Sequence, residues 1–133
     1  MSRIMVGAAP VPPLRPSMAM MSAPARTMPE ALAKIPRPFA AVILGMGDDG
    51  HFASLFPDMP GLAAALNLAS TTSVIAGVAP VEPKARLSLT LPTLLDTDLL
   101  VLHVTGSAKL ATLQRAGTSG NTLEMPVRAL LQQ

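Results

Sequence analysis

The sequence predicts an α/β domain with a mostly parallel sheet and flanking helices, and three observations support this fold class. Two short apolar runs, at residues 39–44 and 99–104, are typical of strands buried on both faces. Stretches with helical features follow or separate the strand candidates. Hydrophobic residues make up 50% of the 133 residues and charged residues only 14%, which is enough apolar surface for one packed core.

The first 38 residues differ from the rest and are predicted to be an irregular leader rich in Pro and Met. They hold eight of the 14 prolines, and six of the nine methionines precede Pro29. Because each Pro fixes φ and removes a backbone donor, we expect coil here, apart from one short helix at residues 29–35 that ends at Pro36. Three arginines precede the first acidic residue, as in a transit peptide, but the irregular leader is the favoured interpretation.

Residues 39–133 are predicted to form the α/β domain, although only part of one. Between the two apolar runs, strands are expected at residues 72–78 and 86–91. The second of these alternates polar and apolar residues, which indicates a half-buried or edge strand. Helices are predicted at residues 107–115, with Gly117 as a stop signal, and at residues 126–132, with Pro126 at the start.

Composition argues against several classes of partner and ligand. The formal net charge of +2, without a Lys/Arg cluster, gives no support for nucleic-acid binding. No apolar run reaches the roughly 20 residues of a membrane span, so no membrane partner is expected. The chain has no Cys and no ligand cluster at metal spacing, so no metal site is predicted. The lack of Cys fits a reducing compartment, and we expect the cytoplasm.

The loop at residues 45–51, hereafter the histidine loop, is the most informative part of the sequence. Its stretch Gly45-Met-Gly47-Asp-Asp-Gly50 matches the dinucleotide fingerprint G-x-G-x-x-G in form. Two Asp carboxylates between the second and third glycines would repel a pyrophosphate, and no acidic residue ends a strand about 20 residues later. We therefore reject nucleotide cofactor binding.

His51 is the candidate catalytic base of this loop. It follows a Gly-rich turn after a strand, where α/β sheets bind ligands, and an imidazole suits proton transfer near neutral pH. The ordinary interpretation of an isolated His is a packed or surface residue, but this position favours a catalytic role. Asp49 could hold the imidazole in one tautomer, or it could cap a following turn. The three glycines would let a ligand touch the main chain.

The stretch Leu44-Gly-Met-Gly-Asp-Asp-Gly-His-Phe-Ala-Ser-Leu-Phe-Pro57 resembles the histidine loop of the 6-phosphogluconolactonase family. Two further stretches resemble this family in order and spacing. Residues 83–92, which include Arg86, resemble its strand that leads into a Leu-Pro turn. Residues 104–109 resemble its Thr-Gly-x-x-Lys turn, which ends here at Lys109. The resemblance covers about residues 36–131.

The resemblance implies a Rossmann-like fold of the glucosamine-6-phosphate deaminase/lactonase type. It implies hydrolysis of the sugar-phosphate lactone 6-phospho-D-glucono-1,5-lactone to 6-phosphogluconate, in the oxidative pentose phosphate pathway. His51 would activate the attacking water, and Arg86 and Lys109 would bind the substrate phosphate. No metal and no organic cofactor is implied. Taken without the resemblance, Arg86 would be a surface charge at a strand end and Lys109 a residue of a helix surface.

Two alternatives remain beside lactone hydrolysis. Glucosamine-6-phosphate deaminases have a similar loop with a Glu five residues after the histidine, but here that position is Phe56, which cannot carry a proton. The second alternative is a non-catalytic remnant that needs a partner, because neither the family's Gly-Gly-Ser-type phosphate loop nor its Asp-Glu-Arg triplet occurs in residues 1–38.

Phe52 stands where the lactonases usually have Thr, and its side chain either packs against the sheet or narrows the pocket. His103 is expected to be a strand residue outside the site, and Asp48 a solvated turn residue that could also help to position the loop.

Overall fold

The protein is represented by a computed structural model that describes residues 3–7, by their backbone, and residues 27–133. Strands and helices alternate along most of this part of the chain, which confirms the α/β class. The elements, in chain order, are β1 Arg3–Gly7, α1 Thr27–Ala33, β2 Val42–Gly45, α2 Leu62–Leu66, β3 Val74–Val78, β4 Ala85–Leu89, α3 Leu91–Leu95, β5 Leu99–His103, α4 Ser107–Ala116 and α5 Val127–Leu131.

The main sheet has the strand order β1-β5-β2, and both pairings are parallel. The last residues of the outer strands, Gly7 and Gly45, both lie beside His103 of the central strand. The carboxyl ends of β2 and β5 therefore meet at one edge of the sheet. This edge bears the histidine loop, which follows β2, and the start of α4, which follows β5.

The main sheet confirms the prediction of a mostly parallel sheet, and β3 and β4 form a separate two-stranded antiparallel sheet that the prediction did not specify. The reason for the antiparallel pairing is the length of their connection. Only six residues, 79–84, separate the two strands, whereas a parallel crossover needs about a dozen or more. The backbone N–H of Ala79 donates to the carbonyl of Lys84 at 2.7 Å and closes the hairpin.

The N-terminal region also departs from the prediction. Coil was expected before residue 29, but residues 3–7 form β1 and pair with β5. The proline argument does not apply to this segment, because the first Pro is Pro10. Residues 8–26, where coil was also expected, lie outside the described residues, and the boundary between residues 1–38 and 39–133 stays a prediction. The helix expected at residues 29–35 is present as α1.

The core lies on one face of the main sheet. Leu100 and Leu102 of β5 are 0% exposed. They pack in one cluster with residues 52–59, which follow the histidine loop, and with residues of α5. The opposite face is more open, because Ile43 is 73% exposed and its neighbour Val101 is only partly buried. Burial on both faces was predicted for the apolar run at residues 39–44, which contains most of β2. In the described structure this strand is buried on one face only.

Candidate functional site

The histidine loop is a closed turn held by its own backbone. The N–H of Gly47 donates to the carbonyl of His51 at 2.9 Å, and the N–H of Gly50 donates to the carbonyl of Gly47 at 3.0 Å. Gly50 has φ 81°, in the left-handed region that favours glycine. A Cβ at Gly50 would also lie 2.4 Å from Cγ of Met125. This glycine, predicted as a ligand contact, is thus needed for the turn itself.

Asp49 holds His51 through two contacts with one carboxylate oxygen. Oδ1 of Asp49 lies 2.5 Å from Nδ1 of the imidazole and 3.0 Å from the backbone N–H of His51. Since a carboxylate can only accept, Nδ1 carries a proton, and in a neutral imidazole Nε2 is then the nitrogen with the lone pair. Asp49 therefore contacts both the imidazole ring and the backbone of the turn, so the two predicted possibilities occur together.

Two phenylalanines lie around this pair and do different things. The ring of Phe56 packs against the imidazole of His51, with 4.5 Å between ring centroids and 40° between planes. Phe52 is 0% exposed and belongs to the core. Of the two possibilities for Phe52, the structure shows packing in the core, since this side chain does not line the cavity beside Asp49.

Two helices form hydrogen bonds to the backbone of the histidine loop. The hydroxyl of Thr112, on α4, donates to the backbone carbonyl of Asp48 at 3.0 Å. The N–H of Val127, at the start of α5, donates to the carbonyl of Gly50 at 2.9 Å. These two contacts lie on either side of Asp49. Thr112 was not among the residues predicted from sequence, because a polar residue in a helix carries no signal of a partner 64 residues away.

A cavity of about 340 Å³ opens between the histidine loop and the β3–β4 hairpin. Its volume is at the lower end of the range typical of small-molecule sites. Asp49 and Phe56 line one side of it, and the hairpin closes the other side. The residues that line it are Asp49, Phe56, Pro57, Met59, Val78, Ala79 and Pro80.

Arg86 lies on the hairpin that forms one wall of this cavity. Arg86 pairs with Gly77 of β3, so the two residues share one face of the hairpin. A Cβ at Gly77 would lie 3.0 Å from Sδ of Met59, which shows that this face is directed toward the segment after the histidine loop. The guanidinium of Arg86 donates to the carbonyl of Pro83. Its role in substrate binding stays a prediction.

Lys109 lies in the first turn of α4, at the same sheet edge as the histidine loop. It precedes Thr112 by three residues and so shares its helix face, the face that contacts Asp48. A Cβ at Gly45 would have no heavy atom within 4 Å, so packing does not require a glycine there. The predicted roles of Lys109 and Gly45 in binding substrate also stay predictions.

The described part of the chain has neither a cluster of metal ligands nor a membrane-spanning helix. Within residues 3–7 and 27–133, no group of three His, Cys, Asp or Glu residues could hold a metal ion. None of the helices described in this range has the length and apolar character needed to cross a membrane.

Comparison with known proteins gives consistent matches. The family model "Glucosamine-6-phosphate isomerases/6-phosphogluconolactonase" matches residues 6–133, a wider range than the one expected from the resemblance. The 6-phosphogluconolactonase of Pseudomonas putida is 50% identical over 103 residues, which are 77% of this chain and 42% of that protein. That of Caulobacter vibrioides is 50% identical over 107 residues, which are 78% of this chain and 44% of that protein.

The fold matches solved structures as well. The crystal structure of a 6-phosphogluconolactonase from Shewanella baltica aligns with a TM-score of 0.76 and 36% identity. The alignment covers 82% of this chain and 46% of that chain. The chain thus spans less than half the length of the relatives and structures that it matches.

Proposed function

Because this chain belongs to the glucosamine-6-phosphate isomerase/6-phosphogluconolactonase family, we propose that its histidine loop hydrolyses 6-phospho-D-glucono-1,5-lactone to 6-phosphogluconate. The observation that carries the proposal is the contact of 2.5 Å between Asp49 and Nδ1 of His51, which makes Nε2 the proton acceptor of a neutral imidazole. The pair is partly open to solvent, with side-chain exposures of 29% for His51 and 40% for Asp49. A water molecule and a substrate can both reach such a base.

In the proposed reaction, Nε2 of His51 takes a proton from water as the water oxygen bonds to the lactone carbonyl carbon. The bond between this carbon and the ring oxygen then breaks, and the imidazolium returns the proton to the leaving ring oxygen. The product has a carboxyl group and a new hydroxyl group. Asp49 stabilises the imidazolium in the intermediate state, and the contact with Phe56 restricts the ring plane. The reaction uses water and involves no cofactor.

Substrate binding in this proposal relies on two cations and on the glycines of the histidine loop. Arg86 and Lys109 would bind the phosphate, because each lies on an element that borders the loop or the adjoining cavity. Gly45, Gly47 and Gly50 would allow close approach of the sugar to the main chain. The predicted cytoplasmic location belongs to the same proposal.

Phe56 argues against the deaminase alternative within the family. Amino-sugar deamination with isomerisation needs a further acid–base group near the histidine. The side chain at this position is an aromatic ring packed on His51, and it is 7% exposed. It supplies no proton, so the lactonase reaction is favoured.

The proposal is tested by lactone hydrolysis. Freshly generated 6-phosphogluconolactone is added to the purified 133-residue chain, acid release is followed by pH-stat, and spontaneous hydrolysis is subtracted. We expect a rate above background with the lactone and no ammonia release from glucosamine 6-phosphate. A folded chain that leaves the lactone rate at background would contradict hydrolysis by this chain and would favour the non-catalytic alternative.

A substitution of Asp49 tests the orienting carboxylate. We expect Asp49→Asn to lower kcat on the order of tenfold or more, because the amide no longer stabilises the imidazolium and no longer enforces one tautomer. Nitrogen-15 NMR of the imidazole should show a mixture of tautomers in place of the Nδ1–H form. Asp48→Asn is the matched control, since it removes the same charge one residue away and leaves its backbone carbonyl in place. Equal losses in both variants would show that charge, and not the contact with His51, matters.

A further inference from the structure

We propose that Thr112 is a positioning residue for His51, which it holds in place through a hydrogen bond from its buried hydroxyl to the histidine loop. The inference rests on the proposed function of that loop. Thr112 does not contact His51 in the described structure, and it acts through the backbone of Asp48.

The hydroxyl of Thr112 is buried and has three polar partners. Thr112 is 2% exposed, and its Oγ1 lies 3.0 Å from the carbonyl oxygen of Asp48 and 3.2 Å from that of Ala108. Nη2 of Arg115 donates to the same Oγ1 at 3.0 Å. The guanidinium donates to the hydroxyl oxygen, so the single hydroxyl proton is directed at the two carbonyls, of which that of Asp48 is the nearer. A donor polarised by a cation makes a stronger hydrogen bond than an isolated hydroxyl does.

A Thr within a helix commonly bonds the carbonyl four residues earlier, and Ala108 provides that partner. This ordinary role does not explain the contact with Asp48, which is shorter and joins two segments 64 residues apart. A valine would fill the same space but would leave the carbonyl of Asp48 without this donor. The hydroxyl is therefore specific to the junction between α4 and the histidine loop.

The position of Asp48 determines the position of His51. Asp48 directly precedes Asp49, whose carboxylate holds both the imidazole and the backbone N–H of His51. The turn is closed by its own hydrogen bonds, so a shift at one carbonyl is transmitted to the whole turn. The second fixed point, at Gly50, is a backbone donor of α5 that a side-chain substitution does not remove. Thr112 is thus the side chain through which this geometry can be tested.

The experiment compares Thr112→Val with Thr112→Ser. For Thr112→Val we expect kcat for lactone hydrolysis to fall about tenfold while KM stays within about twofold, since base geometry and not phosphate binding is changed. Thr112→Ser keeps the hydroxyl and should restore most of the rate. Equal losses in the two variants, or no loss in Thr112→Val, would overturn the proposal.

A second readout does not depend on hydrolysis. The chain has two histidines, so imidazole NMR signals are few, and His51→Asn identifies the signals of His51. Thr112→Val should broaden or shift these signals and leave those of His103 unchanged. If the unmodified chain does not hydrolyse the lactone, the proposed function fails, and this readout alone decides the role of Thr112. Unchanged His51 signals would overturn that role.

Two further variants separate positioning from folding. Thr93→Val removes another buried hydroxyl, which bonds Thr90 at 3.0 Å and lies outside the histidine loop, and it should leave the His51 signals unchanged. Arg115→Met removes the guanidinium donor at an exposed position and should move the His51 signals in the same direction as Thr112→Val, but less. If Thr112→Val does not fold, Arg115→Met decides, and unchanged His51 signals in that variant would overturn the proposal.

Discussion

Replacing His51 by asparagine should lower kcat for lactone hydrolysis on the order of a thousandfold, since a general base contributes about 10²–10⁴ in rate. Asparagine can still present an N–H group toward Asp49, where Nδ1 of the imidazole donates now. It has no equivalent of Nε2, so the group that accepts the proton from water is lost. The measurement is kcat and KM from initial rates of acid release, with background subtracted.

The second histidine provides the control for this variant. His103 ends β5 and is partly buried in the sheet, and its sequence pattern did not place it in the site. His103→Asn should keep kcat within about threefold of the unmodified chain, as is typical of a residue outside the reaction. If His103→Asn were as damaging as His51→Asn, the assignment of His51 as base would be contradicted. Thermal melts of both variants would show whether either result reflects loss of folding.

The position of the histidine loop in the fold was predictable from sequence, because the loop directly follows an apolar strand. A Gly-rich turn after an apolar strand predicted that His51 lies at the carboxyl edge of a parallel sheet, and the pairing of β2 with β5 confirms that edge. The two-residue spacing between Asp49 and His51 left two contacts open. The structure shows that one oxygen makes both, with the ring and with the backbone.

Features that depend on distant contacts were not accessible in this way. The hydroxyl of Thr112 is significant only because α4 brings it to Asp48. β1 was missed because a short segment next to a proline-rich stretch gives no local sign of pairing with β5, almost one hundred residues later. Local rules describe a segment by its own residues, whereas parallel pairing depends on a partner that is remote in sequence.

The antiparallel hairpin was missed for a different reason, since the information was local. The strand candidates at residues 72–78 and 86–91 left a connection too short for a parallel crossover. Connection length, applied alongside strand pattern, would have predicted the hairpin. The hairpin bears on the candidate site, because it supplies Val78 and Ala79 to one wall of the cavity that Asp49 lines on the other side.

Gly47→Ala should lower kcat for lactone hydrolysis about a hundredfold while the melting temperature changes little. A Cβ at this position would lie 2.2 Å from Cε1 and Nδ1 of His51 and 2.8 Å from Oδ1 of Asp49. Gly47 does not have positive φ, so its backbone can accept alanine without strain. The clash is with the ends of two side chains, and the imidazole can turn away. A displacement of about 1 Å at a reacting group can cost on the order of 10² in rate.

The neighbouring glycine of the same loop gives a matched comparison. A Cβ at Gly45 would meet no heavy atom within 4 Å, so Gly45→Ala should leave the imidazole NMR signals of His51 unchanged, whereas Gly47→Ala should move them. Unfolding of Gly47→Ala would contradict the expectation that only the two side chains must move. Full activity with displaced His51 signals would mean that hydrolysis does not use the imidazole in its contact with Asp49. Because the three atoms nearest to the added methyl group all belong to His51 and Asp49, this substitution tests the geometry of that pair.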